Sequence, residues 1–313
     1  MKKIIKKIVI VLAAVLIASS AGLSIAAYSR GYIKNQDLPV GFSEAVKLTE
    51  AEKDSDAVRI MTSNLLVNYK SWGGSDARPR AKMFFGILDE YVPDVVGLQE
   101  VSDQWYTCIM QNKGKYKMLY PVSTGLLMRM TALIYNSETL DLIDKGQLQY
   151  ENGNDARLRR AVWGLFEHKE TIKQFIVIST HFDTMRPGQE EEMFSFMQSQ
   201  KEEITKLSAQ LKETYNVPVF SIGDFNSCNA GGNDPIMDAP EIYEALSEEL
   251  TDVKDVAEEK LNGDVLGVDE PTWDHIFLDG EADVQRYAIL SHENFKSMSD
   301  HFPIFADVYL KEN

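Results

Sequence analysis

The sequence predicts an α/β sandwich: two packed, mainly antiparallel sheets with helices on the outside. Strand-like segments outnumber helical ones, and several consecutive strands are close enough to be joined as hairpins. That pattern disfavours a doubly wound parallel sheet. At 313 residues, 44% hydrophobic and 10% aromatic, the chain is long enough to bury such a core.

Residues 1–30, MKKIIKKIVIVLAAVLIASSAGLSIAAYSR, stand apart from the rest. Lys2, Lys3, Lys6 and Lys7 precede an uncharged run of 22 residues, Ile8–Ser29. Roughly 20 apolar residues span a bilayer, and a lysine cluster stays on its cytoplasmic side. Small residues at Ser24 and Ala26, before Ala27, equally permit cleavage. The segment is a transmembrane anchor or a signal peptide, and either places the remainder outside the cytoplasmic membrane. Residues 31–56 are polar and charged, a linker or weak helix, and residues 57–313 form one folded domain.

The body opens on AVRIMTSNLL, where Val58 and Ile60 alternate with polar neighbours as in a strand. A loop with Trp72, two glycines and Pro79 follows. Met83, Ile87 and Tyr91 then share a helix face with Phe84 and Leu88. DVVGLQEV is a short buried strand ending at Gln99-Glu100, and TALIYNSETLDLID makes two strands about an Asn-Ser turn. ENGN (151–154) predicts a tight hairpin turn. RAVWGLFEH and KQFIVISTHFDT form a hairpin joined at Lys169–Glu170. Residues 188–215 read as a helix with a solvated outer face. VPVFSIGDFNS is a strand and turn, and PTWDHIFLDG and SDHFPIFADVYL supply two late strands.

The body is strongly acidic. Residues 1–30 hold five basic groups and no acid, which leaves 27 Lys+Arg against 48 Asp+Glu, a net of −21. A broad basic face for nucleic acid is therefore absent, and a phosphate-bearing partner needs local help such as a bound divalent metal. Two cysteines, Cys108 and Cys228, make no disulfide scaffold and read as unlinked, small, mostly apolar side chains.

Apolar strands repeatedly end in polar groups: Asn64, Glu100, His181 with Asp183, Asp224 with Asn226, Asp274 with His275, and Asp300 with His301. Gathered on one rim of loops, carboxylates and carboxamides are hard oxygen ligands for magnesium, manganese or calcium, and histidines serve phosphate binding or proton transfer. Zinc spacings, a Gly-x-Ser-x-Gly elbow and a Gly-x-x-x-x-Gly-Lys loop are all missing.

The ordered series TSNLL, PDVVGLQEV, RRAVWGLFEH with FIVISTHFDT, VPVFSIGDFNS, WDHIFLDG and SDHFPIFADV resembles the endonuclease/exonuclease/phosphatase superfamily over about residues 57–311. That fold is shared with deoxyribonuclease I. The resemblance implies a four-layered α/β sandwich and Mg²⁺- or Mn²⁺-dependent hydrolysis of a phosphate ester. It makes Glu100 the principal metal ligand, with Asn64 supporting metal and phosphate and Asp300 close to the metal. Asp224 orients or deprotonates the attacking water, and Asn226 contacts the phosphate and fixes its loop. His181 faces the phosphate or leaving oxygen, and His301 donates to a phosphate oxygen with Asp274 holding its ring. Arg160 either reaches the phosphate or braces its strand.

Other residues carry structural expectations. Asp183 is a cap or a support to the site, His275 is structural, and His168 and His292 are surface groups. The four tryptophans pack in core or loops. Lys70, Arg78 and Arg80 either guide an anionic substrate or belong to an ordinary polar loop. A nuclease acting on a phosphodiester is the first expectation, as a monomer. A phospholipid or inositol-phosphate hydrolase comes second, and a binding module that has lost the chemistry third.

Overall fold

The structure, a computed structural model, describes residues 52–121, 130–153, 159–228, 238–263, 265–267 and 270–311. The segment read as anchor or signal peptide lies outside them, as does most of the linker. Among the described residues no helix is long and apolar enough to cross a membrane. Residues 52–56 run along the body, where Lys53 pairs with Asp94 at 2.6 Å.

Two mixed sheets carry the fold. The first holds β1 (Val58–Asn64), β2 (Val95–Gln99), β3 (Tyr116–Leu119), β4 (Thr131–Asn136), β10 (Glu259–Asn262), β12 (Ala282–Ile289) and β13 (Ile304–Leu310), in the order β10-β12-β13-β1-β2-β4-β3. The second holds β5 (Leu140–Gln149), β6 (Arg160–His168), β7 (Gln174–His181), β8 (Val219–Asp224), β9 (Thr251–Asp252) and β11 (Asp274–Asp279), in the order β5-β6-β7-β8-β11-β9. Each sheet has a parallel central pair, β1–β2 or β7–β8, flanked by antiparallel strands. β10–β12 is a further parallel pair, at the edge of the first sheet.

Period-two alternation assigns the layers. Val58, Ile60, Val95, Val177, Phe220, Ile222, Ile276 and Ile304 point into the core between the sheets. Residues of opposite parity, such as Met61, Val96 and Leu98, meet α1 (Ala77–Tyr91) and α2 (Asp103–Asn112). Ile176, Ile178, Val219 and Phe277 meet α3 (Glu190–Tyr215) and α4 (Pro240–Ser247) on the other outer face. One more helical turn, α5 (Val253–Val256), follows β9. The four-layered arrangement is therefore present.

Several local expectations are corrected. Gln149 pairs with Arg160, so ten residues join β5 to β6 and ENGN makes no tight hairpin turn; Asn154 itself lies outside the described residues. Five residues, 169–173, separate β6 from β7. Helix α3 buries Met193, Met197, Gln200, Ile204, Ser208 and Leu211, a stripe at spacings of three and four residues. Its inner face is thus part of the core, and each large apolar side chain there contributes about 1.5–3 kcal/mol. His168 is buried, with Nδ1 3.1 Å from the Thr171 hydroxyl. His292 is half-buried and caps a short 3₁₀ turn by accepting from Asn294 N–H.

Candidate active site

The site is the last rung of the inter-sheet core. Asn64 continues the stripe of Val58 and Ile60, His181 that of Val177, and Asp224 that of Phe220 and Ile222. Asp274 starts the stripe of Ile276. Register then aligns them: Asp224 lies opposite His181 on one side and Asp274 on the other. Carboxyl ends of the parallel strands and amino ends of their antiparallel partners meet on one rim. His275, one residue out of phase, falls on the far face. There its Nε2 lies 2.9 Å from the Ser227 carbonyl and its ring stacks near Tyr243 and Phe277.

Asp224 is the hub. Its Oδ2 accepts from Asn64 Nδ2 at 2.9 Å across the two sheets, lies 3.2 Å from His181 Nε2 and is 3.8 Å from His301 Nε2. Its Oδ1 accepts from Asn226 N–H at 2.9 Å. Burial opposes a charge here, but the two imidazoles and these bonds outweigh it and hold the carboxyl well below the usual range. His301 Nδ1 sits 2.6 Å from Asp274 Oδ2. Burial again opposes the charge, yet Asp274 and Asp224 together hold the imidazolium well above its ordinary value. Burial raises Asp274 itself, against the pull of His301.

Gly223 makes this approach possible. Its φ is +149°, and any Cβ would overlap the Thr180 carbonyl on the neighbouring parallel strand. Phe225 turns to the outer face and packs edge-on against Phe182 and Phe277, with ring centroids 5.0 and 5.2 Å away. Asn226 returns toward the site with φ +48°, its amide donating to the Phe182 carbonyl at 2.9 Å. The tips of β7 and β8 are thereby tied together.

Glu100 breaks the alternation. Parity would send it to the helix side with Leu98, but a φ of +59° turns it to the rim. Its Oε1 lies 3.2 Å from Asn64 Nδ2, and its Oε2 accepts from Val67 N–H at 2.8 Å. Asn64 Oδ1 accepts from Leu66 N–H, and the amide meets both carboxylates as a donor. Non-glycine residues with positive φ cost about 1–3 kcal/mol and gather at functional sites.

Arg80 does not guide substrate. It is buried, donating to the carbonyls of Leu65, Leu66, Val67, Ser75 and Met298 at 2.7–3.1 Å. It thus braces the loop that presents amides to Glu100 and Asn64. Arg78 pairs with Asp76 at the start of α1, and Lys70 is exposed. Arg160 stands two residues before Val162, which pairs with Ser179, and so at the same end of the sheet as His181. Asp183 is gripped by Gln200: its N–H and Oδ2 both engage that side chain at 2.8 Å. Arg159 stands 3.5 Å away.

Sequence reading missed four contributors: Gln99, Ser299, Trp273 and Gln200. Gln99 donates across the sheets to Ser179 Oγ at 3.3 Å, directly beneath the rim. Ser299 donates to the Asn64 carbonyl at 2.7 Å and accepts from His301 N–H, which fixes the loop of His301. Trp273 is 41% exposed, its ring 6.2 Å from the His301 imidazole. A polar residue inside the α3 stripe was the one signal for Gln200.

Among the described residues no three His, Cys, Asp or Glu side chains form a ready-made metal cage. The donor set suits another arrangement. Magnesium and manganese are commonly held by one or two carboxylates, with waters and substrate oxygens completing the shell. Ser299 Oγ lies within hydrogen-bonding distance of both the Asn64 carbonyl, at 2.7 Å, and exposed Asp300 Oδ1, at 3.3 Å, and Asn64 in turn reaches Glu100, so the two carboxylates flank one residue of the rim. These residues fit a hard divalent cation of that kind.

No family model matches the chain, and no curated protein matches it in sequence. Solved structures match it in fold. An endonuclease/exonuclease/phosphatase protein from Bacteroides vulgatus is 20% identical with a TM-score of 0.65, covering 82% of this chain and 99% of its own. A mannosyl-6-phosphatase from Bacteroides thetaiotaomicron is 20% identical at 0.61, covering 80% and 99%. The catalytic domain of human Nocturnin, solved with a sulfate anion, is 19% identical at 0.61, covering 82% and 94%. The chain has the deoxyribonuclease-I-like fold that the motif series implied.

Proposed function

We propose that the chain is a divalent-metal-dependent phosphoric ester hydrolase that cuts a phosphodiester, with its body outside the cytoplasmic membrane. One observation supports this above others: a buried, ionised Asp224 shared by Asn64, His181 and His301, with Asp274 behind His301. Phosphate-ester hydrolysis needs positioning and charge stabilisation more than covalent chemistry. Asp224 orients the attacking water or takes its proton as oxygen joins phosphorus. His301, its Nδ1 held by Asp274, presents Nε2–H to a phosphoryl oxygen. His181, held by Asp224 through Nε2, lies beside the oxygen that leaves as the phosphorus–oxygen bond breaks. Glu100 and Asp300 would hold Mg²⁺ or Mn²⁺, with Asn64 bridging to Asp224. When bound, the metal neutralises charge growing on the phosphoryl oxygens.

The test offers the full chain plasmid DNA, RNA, sphingomyelin and inositol phosphates, with magnesium or manganese and an EDTA control. Cleavage of DNA or RNA should require metal and fall at least about a hundredfold in Glu100→Ala and in Asp224→Asn. Activity that survives EDTA, or is untouched by both substitutions, would refute the assignment. Cleavage of sphingomyelin or inositol phosphates alone would keep the chemistry and move the substrate to lipid or polyol esters.

A further inference from the structure

Beside the catalytic row lies a cavity of about 400 Å³ whose floor includes Asp274 and His301. Its walls are apolar, formed by Trp273, Leu266, Ile289 and Phe302. The walls are anchored. Ile289 and Phe302 belong to or pack on the core between the sheets. The Leu266 backbone is pinned from both sides by Ser291, whose Oγ accepts from Leu266 N–H at 2.9 Å and lies 3.1 Å from the Leu266 carbonyl. The Trp273 carbonyl accepts from Phe225 N–H at 2.9 Å, which fixes the Trp273 backbone to the tip of β8.

Because the floor is the catalytic pair, whatever fills this cavity is carried by the ester being cleaved. Its size lies within the range of small-molecule sites. With Asp300 assigned to the metal, Glu270 is the lining carboxylate left to repel a second phosphate or a carboxylate. The large exposed π-surface of Trp273 matches a flat ring better than a polyol. Resting on the hydrolase reading above, we propose that this pocket binds a neutral aromatic ring borne by the substrate next to its phosphate, and that Trp273 sets the preference.

Two diesters separate the ring from leaving-group chemistry: methyl benzyl phosphate and methyl cyclohexylmethyl phosphate, whose alcohols are similarly acidic. A thymidine dinucleotide and its counterpart lacking one base supply the nucleoside arm. The metal-loaded full chain should prefer the aromatic member of at least one pair by about 5- to 150-fold in kcat/KM, mostly through KM, as expected for one stacked ring. Trp273→Ala should bring that ratio near one, and Trp273→Phe should restore most of it. A preference confined to the dinucleotide identifies the ring as a nucleobase; one in both pairs shows that a simple ring suffices. Equal rates within both pairs, or a ratio unmoved in Trp273→Ala, overturns the proposal. If none of these diesters is hydrolysed, the substrates of the preceding test decide the hydrolase reading, and calorimetric binding of benzylphosphonate against cyclohexylmethylphosphonate decides the pocket. Tighter benzyl binding lost in Trp273→Ala supports it, and equal or no binding refutes it.

Discussion

Asn64 is a neutral double donor wedged between two carboxylates, so replacing its amide by an isosteric acid tests the electrostatics of the whole site. In Asn64→Asp the oxygen facing Leu66 N–H is kept, but the bonds to Glu100 at 3.2 Å and Asp224 at 2.9 Å are lost. Hydrogen bonds to charged groups are worth about 1.5–3 kcal/mol each, so the two together cost about 3–6 kcal/mol. Repulsion among three carboxylates adds to that. For a domain of this size each kcal/mol lowers Tm by about 2–4 °C, which gives a fall of at least about 6 °C near pH 8. The sign with pH follows from linkage. The introduced carboxyl is pushed up in the folded state, so its penalty is complete above that folded value and vanishes below the unfolded one. The Tm gap to the parent should widen steadily from pH 4 to pH 8 in EDTA. Asn64→Ala, which adds no charge, should show a gap with little pH dependence. A gap for Asn64→Asp below about 2 °C at pH 8, or one that is flat with pH, would refute this arrangement of donors and carboxylates.

Other substitutions probe the supports. Gly223→Ala forces a Cβ onto the Thr180 carbonyl at a φ of +149°, and should cost more than about 2 kcal/mol and most of the activity. Full stability in thermal melts would show that the strand tips relax freely. Asp274→Asn removes the counter-ion of His301, whose raised pKa keeps it charged through neutral pH. The stability of that charge is full in acid and is lost as pH rises through the folded value, so the alkaline limb of kcat/KM should move to lower pH. An unmoved limb would take Asp274 out of this role. Arg80→Met removes a donor from six backbone carbonyls, of which that of Leu66 keeps Trp105 Nε1–H, and should destabilise by about 3–5 kcal/mol in denaturant melts, whereas Arg78→Met should change little.

Much of the site was legible because alternation is a local property. Once VFSIGD is a strand with Phe220 and Ile222 inward, Asp224 must also point inward, and the same logic orients Asn64, His181 and Asp274. It fails at Glu100, where a positive φ redirects the chain and no composition signal announces it. Burial of Arg80 was equally hidden, because an arginine in a polar loop looks the same whether its acceptors are carbonyls or water. The short elements of the second half, β9, β10 and α5, span four residues or fewer and carry too little periodicity to stand out. Helix α2 and β12 are longer, yet they were missed as well.

The rim's charge balance bears on the metal independently of any resemblance. Four carboxylates lie at this end of the sheets, Glu100, Asp224, Asp274 and Asp300, against three cations, the Arg80 guanidinium, the His301 imidazolium and Arg160 at the tip of β6. Arg80 spends its donors on backbone carbonyls, so its charge reaches the rim without offering a hydrogen bond to a ligand. A phosphate ester thus approaches a rim of net negative sign, on a body that is itself acidic. On the function proposed above, a hard divalent cation on Glu100 and Asp300 would reverse the sign where an ester binds, and would make the acidic rim an asset rather than an obstacle. Phosphate binding to the full chain should therefore rise with magnesium or manganese and be weak in EDTA. Equal inorganic-phosphate binding with and without metal, read by calorimetry, would remove this argument for a cation.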